Sequence, residues 1–331
     1  MKQTFIFNNK PSIMSTYSIV GKKEGNTELG NLFDFVLNDD RFGESSFEKA
    51  ECKMLSQAIN KVAAKSKTNL KDINLLIGGD LLNQIISVGF SARDFNISFL
   101  GVYSACSTIT ESLLLASTFI DDNRCDNIIC VTGSHFATAE RQYRYPLELG
   151  STRPPQSQWT VTGAGSYLVS KHQNGYPYIT RATIGRVVDY GITDANNMGA
   201  AMAPACCDSI KTHFENTSTN PSDYDLIVTG DLGALGSRLV KELLLQKGYD
   251  IENNHIDCGE LIYHISEKDF QGGSGAGCSA VIMASYIYPK LVKKELNRVL
   301  FCATGALLST VSSQQGESIP SICHIVELEN K

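Results

Sequence analysis

The sequence predicts an α/β fold built from a duplicated unit, with two mostly parallel sheets, and three ordered matches between its halves carry that reading. Asp72-Ile-Asn-Leu-Leu-Ile-Gly-Gly-Asp-Leu81, Tyr103-Ser-Ala-Cys-Ser-Thr108 and Asn127-Ile-Ile-Cys-Val-Thr-Gly133 come first. They are answered in order by Asp223-Tyr-Asp-Leu-Ile-Val-Thr-Gly-Asp-Leu232, Gly272-Gly-Ser-Gly-Ala-Gly-Cys-Ser279 and Arg298-Val-Leu-Phe-Cys-Ala-Thr-Gly305. The offsets are 151, 172 (Cys106 to Cys278) and 171 residues. A repeat of that size limits the architecture before any motif is weighed. The 331 residues also suit two units of roughly 150.

Each first element is a short apolar run ending in Gly-Asp, which suits a strand buried on both faces and running into a polar loop. Each second element is a small-residue turn opening a helix, over 107–120 and 279–288, apolar nearly all round as buried helices are. Further helices are predicted over 45–65, where Ser45-Ser-Phe-Glu48 is a capping-box candidate, and over 236–247, stopped by Gly248. Residues 161–170 read as a strand interrupted by Gly163 and Gly165. Strands alternating with helices in both halves imply sheets with helices packed on and between them. The turn-rich stretch 171–177 places the join, giving halves of 1–174 and 175–331.

Composition removes several functions. The hydrophobic set is 42% and the charged set 19%, enough apolar material to fold. Against 35 Asp and Glu stand 29 Lys and Arg, a net charge of −6 with no basic stripe, so no nucleic-acid partner is expected. Ten cysteines without a CxxC pair predict reduced thiols, as in the cytosol. There is neither a signal-peptide core near the first residues nor an apolar run of ~18 residues, so a soluble chain with at most a peripheral membrane role is expected. HExxH, P-loop and Ca²⁺-loop patterns are absent, so no metal site is expected. Gly275-Ala-Gly277-Cys-Ser-Ala280 fits a dinucleotide pattern, but Glu267-Lys-Asp-Phe-Gln before it is no buried strand, and no nicotinamide is expected.

Cys106 is the first candidate for chemistry. It stands between the apolar stretch 98–103 and the first turn of a buried helix, where free N–H groups and the helix dipole lower a thiol pKa and can hold an oxyanion. The alternative is a packed thiol among small residues. His135 is the candidate base, in the polar and aromatic loop from Gly133 to Pro146 that follows a strand, or else a structural histidine. Arg141 and Arg144 in that loop are candidate partners for a carboxylate, with solvated surface arginines as the alternative. Asp80 and Asp231 end the paired first strands, as loop caps or as a polar wall between the halves.

A duplicated α/β core with a cysteine at the first-half helix start resembles the thiolase and ketoacyl synthase superfamily. The resemblance is closer to the stage V sporulation protein AD family and runs nearly end to end. It is carried by Gly79-Asp-Leu-Leu-Asn-Gln84, Phe90-Ser-Ala-Arg93, Ala105-Cys-Ser-Thr108, Ala137-Thr-Ala-Glu-Arg-Gln-Tyr-Arg-Tyr-Pro146, Gly191-Ile-Thr-Asp194 and Ala201-Met-Ala-Pro204. In the second half Thr229-Gly-Asp-Leu232, Gly272-Gly-Ser-Gly275, Ala303-Thr-Gly-Ala-Leu-Leu-Ser309 and Glu317-Ser-Ile-Pro320 continue it. The resemblance implies a thiolase-like, five-layered αβαβα fold. It further implies a component of the machinery that moves pyridine-2,6-dicarboxylate (dipicolinic acid), usually chelated with Ca²⁺, into the developing spore, binding the ligand while membrane subunits form the passage.

The same resemblance marks departures from the enzymes. Asp231 stands where the ketoacyl synthase III type carries His, and Ser274 in the Gly273-Ser-Gly275 turn where that type carries Asn. A carboxylate beside a thiolate repels it, so condensation is expected to be disabled. Cys302 lies near the thiolases' second-half cysteine and is expected to pack in a buried strand. The expected activity is therefore non-catalytic binding in a pocket between the halves. Arg141 or Arg144 would meet a carboxylate, Tyr143 or Tyr145 would stack on or flank the ring, and Cys106, His135 and Asp231, with Gly273 and Ser274, would form the floor. Ca²⁺ is expected only within the chelate, touching Asp80 or Asp231. A peripheral position on the cytoplasmic side of the spore inner membrane follows from the resemblance. So do membrane subunits as partners and pairing into a homodimer through the first half, which the sequence leaves open. The rival is an acyltransferase of the ketoacyl synthase or thiolase type with Cys106 as nucleophile.

Overall fold

The computed structural model describes residues 3–143, 152–263 and 270–330. Its long strands in the first half are β1 (Ser12–Val20), β2 (Leu75–Gly79), β3 (Ser98–Gly101), β4 (Asn127–Ser134) and β5 (Gly163–Ser170). The second half supplies β6 (Tyr178–Thr183), β7 (Leu226–Thr229), β8 (His255–Asp257), β9 (Arg298–Ala306) and β10 (Ser321–Glu329). The first set is ordered β3-β2-β4-β5-β1 and the second β8-β7-β9-β10-β6, which is the same topology twice. The segment 171–177 lies between β5 and β6.

Two mostly parallel sheets were expected, and the structure corrects this. Among the described residues the ten strands and two short additions, Thr4–Ile6 and Phe35–Val36, make one twelve-stranded mixed sheet. The halves meet at β6, where Ser12 of β1 stands opposite Tyr178 and Thr4–Ile6 pairs with Arg181 to Thr183, both antiparallel. Among the described residues the β2/β3/β4 and β7/β8/β9 neighbours are parallel, as is the short Phe35–Val36 beside β1; β5 and β10 run against both of their neighbours. An antiparallel neighbour needs no helical crossover, and alternation of strands and helices in sequence does not reveal that choice.

Strand periodicity sorts the core into layers. Ile128 and Cys130 of β4, Val299, Phe301 and Ala303 of β9, and Val326 and Leu328 of β10 share one cluster with Ile109, Leu113 and Ala116 of α3 (Thr108–Asp121). Their alternates face outward. Ile129 and Val131 pack under α1 (Phe47–Lys65) and α2 (Ile86–Ala92), with Met54, Leu55, Ala58, Ile59 and Val62 forming the buried stripe of α1. Leu300, Cys302, Cys323 and Ile325 pack under α5 (Met198–Thr217) and α6 (Gly233–Leu245). Cys302 is thus a buried strand residue on the outward face. Each such aliphatic side chain contributes roughly 1.5–3 kcal/mol by leaving water.

Local details shift by a few residues. The cap of α1 is Ser46, accepting from the Lys49 N–H, rather than a box begun by Ser45. Helix α6 starts at Gly233, and Gly248 follows its end with φ +88°. The last central helix, α7 (Ala276–Ile282), begins three residues before the predicted start and runs on through a π-helical turn (Met283–Ile287) to Val292. Gly165 does not interrupt its strand. A Cβ there would sit 2.7 Å from the Ala280 carbonyl carbon, so the glycine lets α7 lie directly on β5.

Candidate functional site

The turn between β3 and α3 presents Cys106. Ala105 takes φ +51°, a left-handed conformation a non-glycine residue pays for with strain, and residues Ala105–Ser107 form one 3-10 turn before the helix. Contacts from the second half hold that turn. The Ser107 hydroxyl donates to the Ala303 carbonyl at 2.7 Å and accepts from the His324 N–H at 3.1 Å. Gly305 allows the approach, because a Cβ there would lie 2.2 Å from the Ser104 carbonyl oxygen.

Asp231 reaches the same point from the loop after β7. It is fully buried. Its Oδ1 accepts from the Thr304 hydroxyl at 2.8 Å, and Oδ2 from the Ser274 hydroxyl at 3.1 Å and the Gly275 N–H at 3.0 Å. The Asp231 carboxyl acts electrostatically on the Cys106 thiol. Burial first, and the Asp231 charge second, push the thiol well above its usual range. Burial also raises Asp231, while its hydrogen bonds oppose that. Burial and the neighbouring carboxyl thus both disfavour the thiolate.

Ser274 is placed by a short parallel pairing of Gly273–Ser274 with Trp159–Thr160, which also brings Thr160 to the site. The Gly273 carbonyl accepts from the Gln158 amide at 2.9 Å. A crevice of about 40 Å³ lies beside Cys106, lined by Ala105, Glu140, Tyr143, Thr160, Ser274 and Leu308 among others. It adjoins a vestibule of about 590 Å³ bounded by Leu82, Ile85, Val102, Leu307 and Ser309. Tyr103 and Tyr143 border both cavities, their hydroxyls 3.2 Å apart.

The polar segment after β4, expected as a loop, is in its first part a helix, α4 (Phe136–Tyr143), and this sorts its residues by face. Ala139, Glu140 and Tyr143 look into the crevice. Arg141 is exposed and does not line it. Its Nη1 is 3.4 Å from Glu48 Oε1, and its guanidinium lies 5.5 Å from the Phe47 ring. His135 caps the helix: Nδ1 accepts from the Ala137 N–H at 3.1 Å, so Nε2 carries the proton toward the Asp40 carbonyl at 2.7 Å. With both nitrogens committed it is not placed as a base for Cys106, and burial lowers its pKa. Asp80 takes the loop-cap alternative. Buried, it accepts from the Leu82 N–H at 2.8 Å and the Val88 N–H at 2.7 Å, and burial lifts its pKa to about 6. Arg144 and Tyr145 lie outside the described residues.

The sequence reading missed Tyr103, Glu140, Thr160 and Arg153. Glu140 is buried, its Oε1 2.8 Å from Arg153 Nη2 and 3.3 Å from the Thr160 hydroxyl. Arg153 in turn lies over Trp159 and Phe136, whose rings stack at 4.1 Å. The motif-sized signal for this pair is nil, since only the fold brings position 153 back to 140. Among the described residues no group of His, Cys, Asp and Glu is arranged to hold a metal by itself, and no helix is long and apolar enough to cross a membrane.

Comparison with known proteins adds the relationships. Residues 1–329 match the family model described as Stage V sporulation protein AD (SpoVAD). The chain is 44% identical over 328 residues to the Stage V sporulation protein AD of Bacillus subtilis (strain 168), covering 99% of this chain and 97% of the relative. Among solved structures it is similar to 3-oxoacyl-[acyl-carrier-protein] synthase III from Aquifex aeolicus VF5, at 12% identity and TM-score 0.58 over 96% of this chain and 99% of that one. It is also similar to cerulenin-bound OleA from Xanthomonas campestris, at 12% identity and TM-score 0.64 over 98% of both chains. These likenesses show a mixed α/β fold of the thiolase-like condensing enzymes.

Proposed function

The chain belongs to the stage V sporulation protein AD family, and we propose that within it this protein binds pyridine-2,6-dicarboxylate without turning it over, serving the uptake of that molecule into the developing spore. The observation that carries the reading is that Cys106 is buried with no histidine placed to take its proton, both nitrogens of His135 being committed to Ala137 and Asp40. Acyl transfer needs a thiolate and a stabiliser for the developing oxyanion. Here the cysteine's nearest charged group is a carboxylate, and His135 serves a helix end.

The cavities favour binding. A vestibule of about 590 Å³ falls inside the ~300–1,000 Å³ range of small-molecule sites, and its two tyrosines offer faces to a planar ring. Ca²⁺ enters as part of the ligand's chelate and not as a resident cofactor. The protein works peripherally at the cytoplasmic side of the spore inner membrane, with membrane subunits as the passage, and as a homodimer paired through its first half within the five-layered arrangement of its superfamily. Calorimetric titration with pyridine-2,6-dicarboxylate, with and without Ca²⁺, tests the reading; saturable binding is expected, and no binding in either condition overturns it.

One observation favours acyl transfer instead: the left-handed Ala105 sets Cys106 at the start of a helix, as a nucleophile would be set. Incubation with acetyl coenzyme A followed by mass spectrometry decides between them. A covalent acetyl group on Cys106 would establish the enzyme, and an unmodified chain is expected.

A further inference from the structure

A further cavity, of about 370 Å³, shares no lining residue with the crevice or the vestibule. The first half gives it Glu28 and Leu29. The second half closes it with Lys241 of α6, with β8, which ends the sheet, and with the short helix Cys258–Ile262 that follows β8. Three carboxylates, those of Glu28, Asp257 and Glu260, line it against the one ammonium of Lys241, which is itself engaged with Glu252 at 3.2 Å. The space is therefore net anionic.

A chain of hydrogen bonds fixes the proton of His255 in its wall. Asp257 accepts from the N–H groups of Leu232, Gly233, Gly259 and Glu260. Its Oδ2 also takes the Thr229 hydroxyl proton at 2.7 Å, in preference to the Ile256 carbonyl at 3.4 Å. Having donated, the Thr229 oxygen accepts at 2.9 Å from His255 Nε2, which thus carries the ring proton. Nδ1 is left as a lone pair without a partner among the described residues, on a ring that lines the cavity. Burial, and then the Lys241 ammonium, lower the histidine pKa to about 3, so the ring stays neutral and accepting. Glu260, half-buried in the same lining, has no side-chain partner among the described residues.

We propose that this cavity is a second ligand site, taking a short aliphatic amine whose ammonium donates to the Glu260 carboxylate and to His255 Nδ1 while its stem lies along Leu29, Ile256 and Leu261. An ammonium brings three N–H donors and no acceptor, and here it meets two acceptors, one anionic and one neutral, that the fold leaves unused. A bare metal ion does not fit, because among the described residues no group of His, Cys, Asp and Glu is arranged to hold one. The volume lies at the low end of the ~300–1,000 Å³ of small-molecule sites, which suits a stem of a few carbons between apolar walls. A second ammonium at the far end of such a stem is drawn to the exposed Glu28, so a diamine is favoured over a monoamine. The site stands independently of the dicarboxylate reading of the Cys106 cavities.

The test titrates the full chain at pH 8 with 1,4-diaminobutane, 1-aminobutane and 1-butanol. At that pH Asp257, which burial lifts to about 7, is ionised, and both amines are charged. Saturable calorimetric binding is expected, tightest for the diamine and absent for the alcohol, and Glu260→Gln is expected to weaken the diamine by about tenfold or more. The imidazole ¹⁵N resonances give a readout that needs no variant. The His255 Nδ1 signal is expected to move upfield as its lone pair takes up a donor, while Nε2 remains an N–H and sodium chloride at the same ionic strength leaves both in place. No saturable binding of the diamine, an alcohol that binds as tightly as the amines, full affinity in Glu260→Gln, or an Nδ1 signal unmoved at saturation each overturns the proposal. Calorimetry with pyridine-2,6-dicarboxylate reads the Cys106 cavities separately, and its outcome does not bear on this one.

Discussion

Cys106 from the first half and Asp231 from the second act on each other electrostatically in an interior that leaves 6% of the cysteine and none of the aspartate exposed. Two charges so placed would repel without water to screen them, so the pair keeps its proton. The helix start at Cys106, which alone would favour a thiolate, is overruled by burial and by the carboxylate beside it.

Removing the carboxylate should therefore release the thiol. Asp231→Asn retains an acceptor for Thr304 but no charge, so the Cys106 pKa is expected to fall. Alkylation by iodoacetamide at pH 8 should then quicken by roughly three- to fourfold for each unit of that fall, the gain in thiolate being offset in part by its lower nucleophilicity. Peptide mass spectrometry reads the rate at Cys106 apart from the other thiols. A rate equal to wild type would show that Asp231 does not hold the proton on the sulfur.

The turn that presents Cys106 depends on Gly305 of β9. Its Cβ position lies 2.2 Å from the Ser104 carbonyl oxygen, a backbone atom that cannot swing aside. Gly305→Ala is expected to cost about 1–3 kcal/mol in urea denaturation, the range of overpacked cores, and to displace Cys106 from Asp231. Wild-type stability in this variant would show that the halves are not in firm contact at the turn.

Stability should respond to pH through two carboxylates of opposite sign. Glu24 is buried, which lifts its pKa to about 7 although the Tyr263 hydroxyl and the Thr162 N–H both donate to it. The unfolded chain loses that proton near its ordinary value of 4.5. The folded state thus binds more proton between about 4.5 and 7, and its stability declines as pH rises through that window, by on the order of 3 kcal/mol. Glu24→Gln should match the wild type near pH 4.5 and exceed it at pH 8. Glu327 works the other way. Burial would raise it, but hydrogen bonds from His213, Thr180 and Tyr224 prevail and hold it well below the carboxylate range. Arg181 and Arg298 add opposite charge at 3.2 and 3.0 Å. Its contribution is present above about 4.5 and is lost in strong acid, so Glu327→Gln should flatten the acid limb of a denaturation profile while Glu24→Gln flattens the neutral one.

The parts of this molecule that the sequence made legible are those written in local periodicity or in the repeat. Buried strands alternate, so Ile128 and Cys130 separate from Ile129 and Val131 without reference to coordinates. The repeat aligned Asp231 with Asp80, and the resemblance to condensing enzymes set it beside Cys106, whose thiol burial and that carboxyl raise. It also shows that the two aspartates do different work, Asp80 tying a loop. What stayed hidden depends on distant returns of the chain. The half-sheets join where Ser12 and Thr4–Ile6 pair with β6, and Glu140 meets Arg153 only because β5 and its approach run back past α4. The polar stretch after β4 reads as a loop by composition, yet its cavity-facing residues Ala139, Glu140 and Tyr143 follow helical spacing.

That spacing decides between Arg141 and Tyr143 as ligand contacts. Two residues along an α-helix are about 200° apart around its axis, so a helix that turns Tyr143 into the crevice turns Arg141 out of it. The guanidinium accordingly lies near Glu48 and the Phe47 ring on the exposed side. Arg141→Ala is expected to leave the calorimetric affinity for pyridine-2,6-dicarboxylate within about twofold, since a half-exposed ion pair contributes little. Tyr143→Ala removes a ring shared by both cavities and a hydrogen bond to Tyr103, and is expected to weaken binding by about tenfold or more. The reverse ranking, with the arginine variant crippled and the tyrosine variant intact, would place the ligand on the outer face of α4 and away from Cys106.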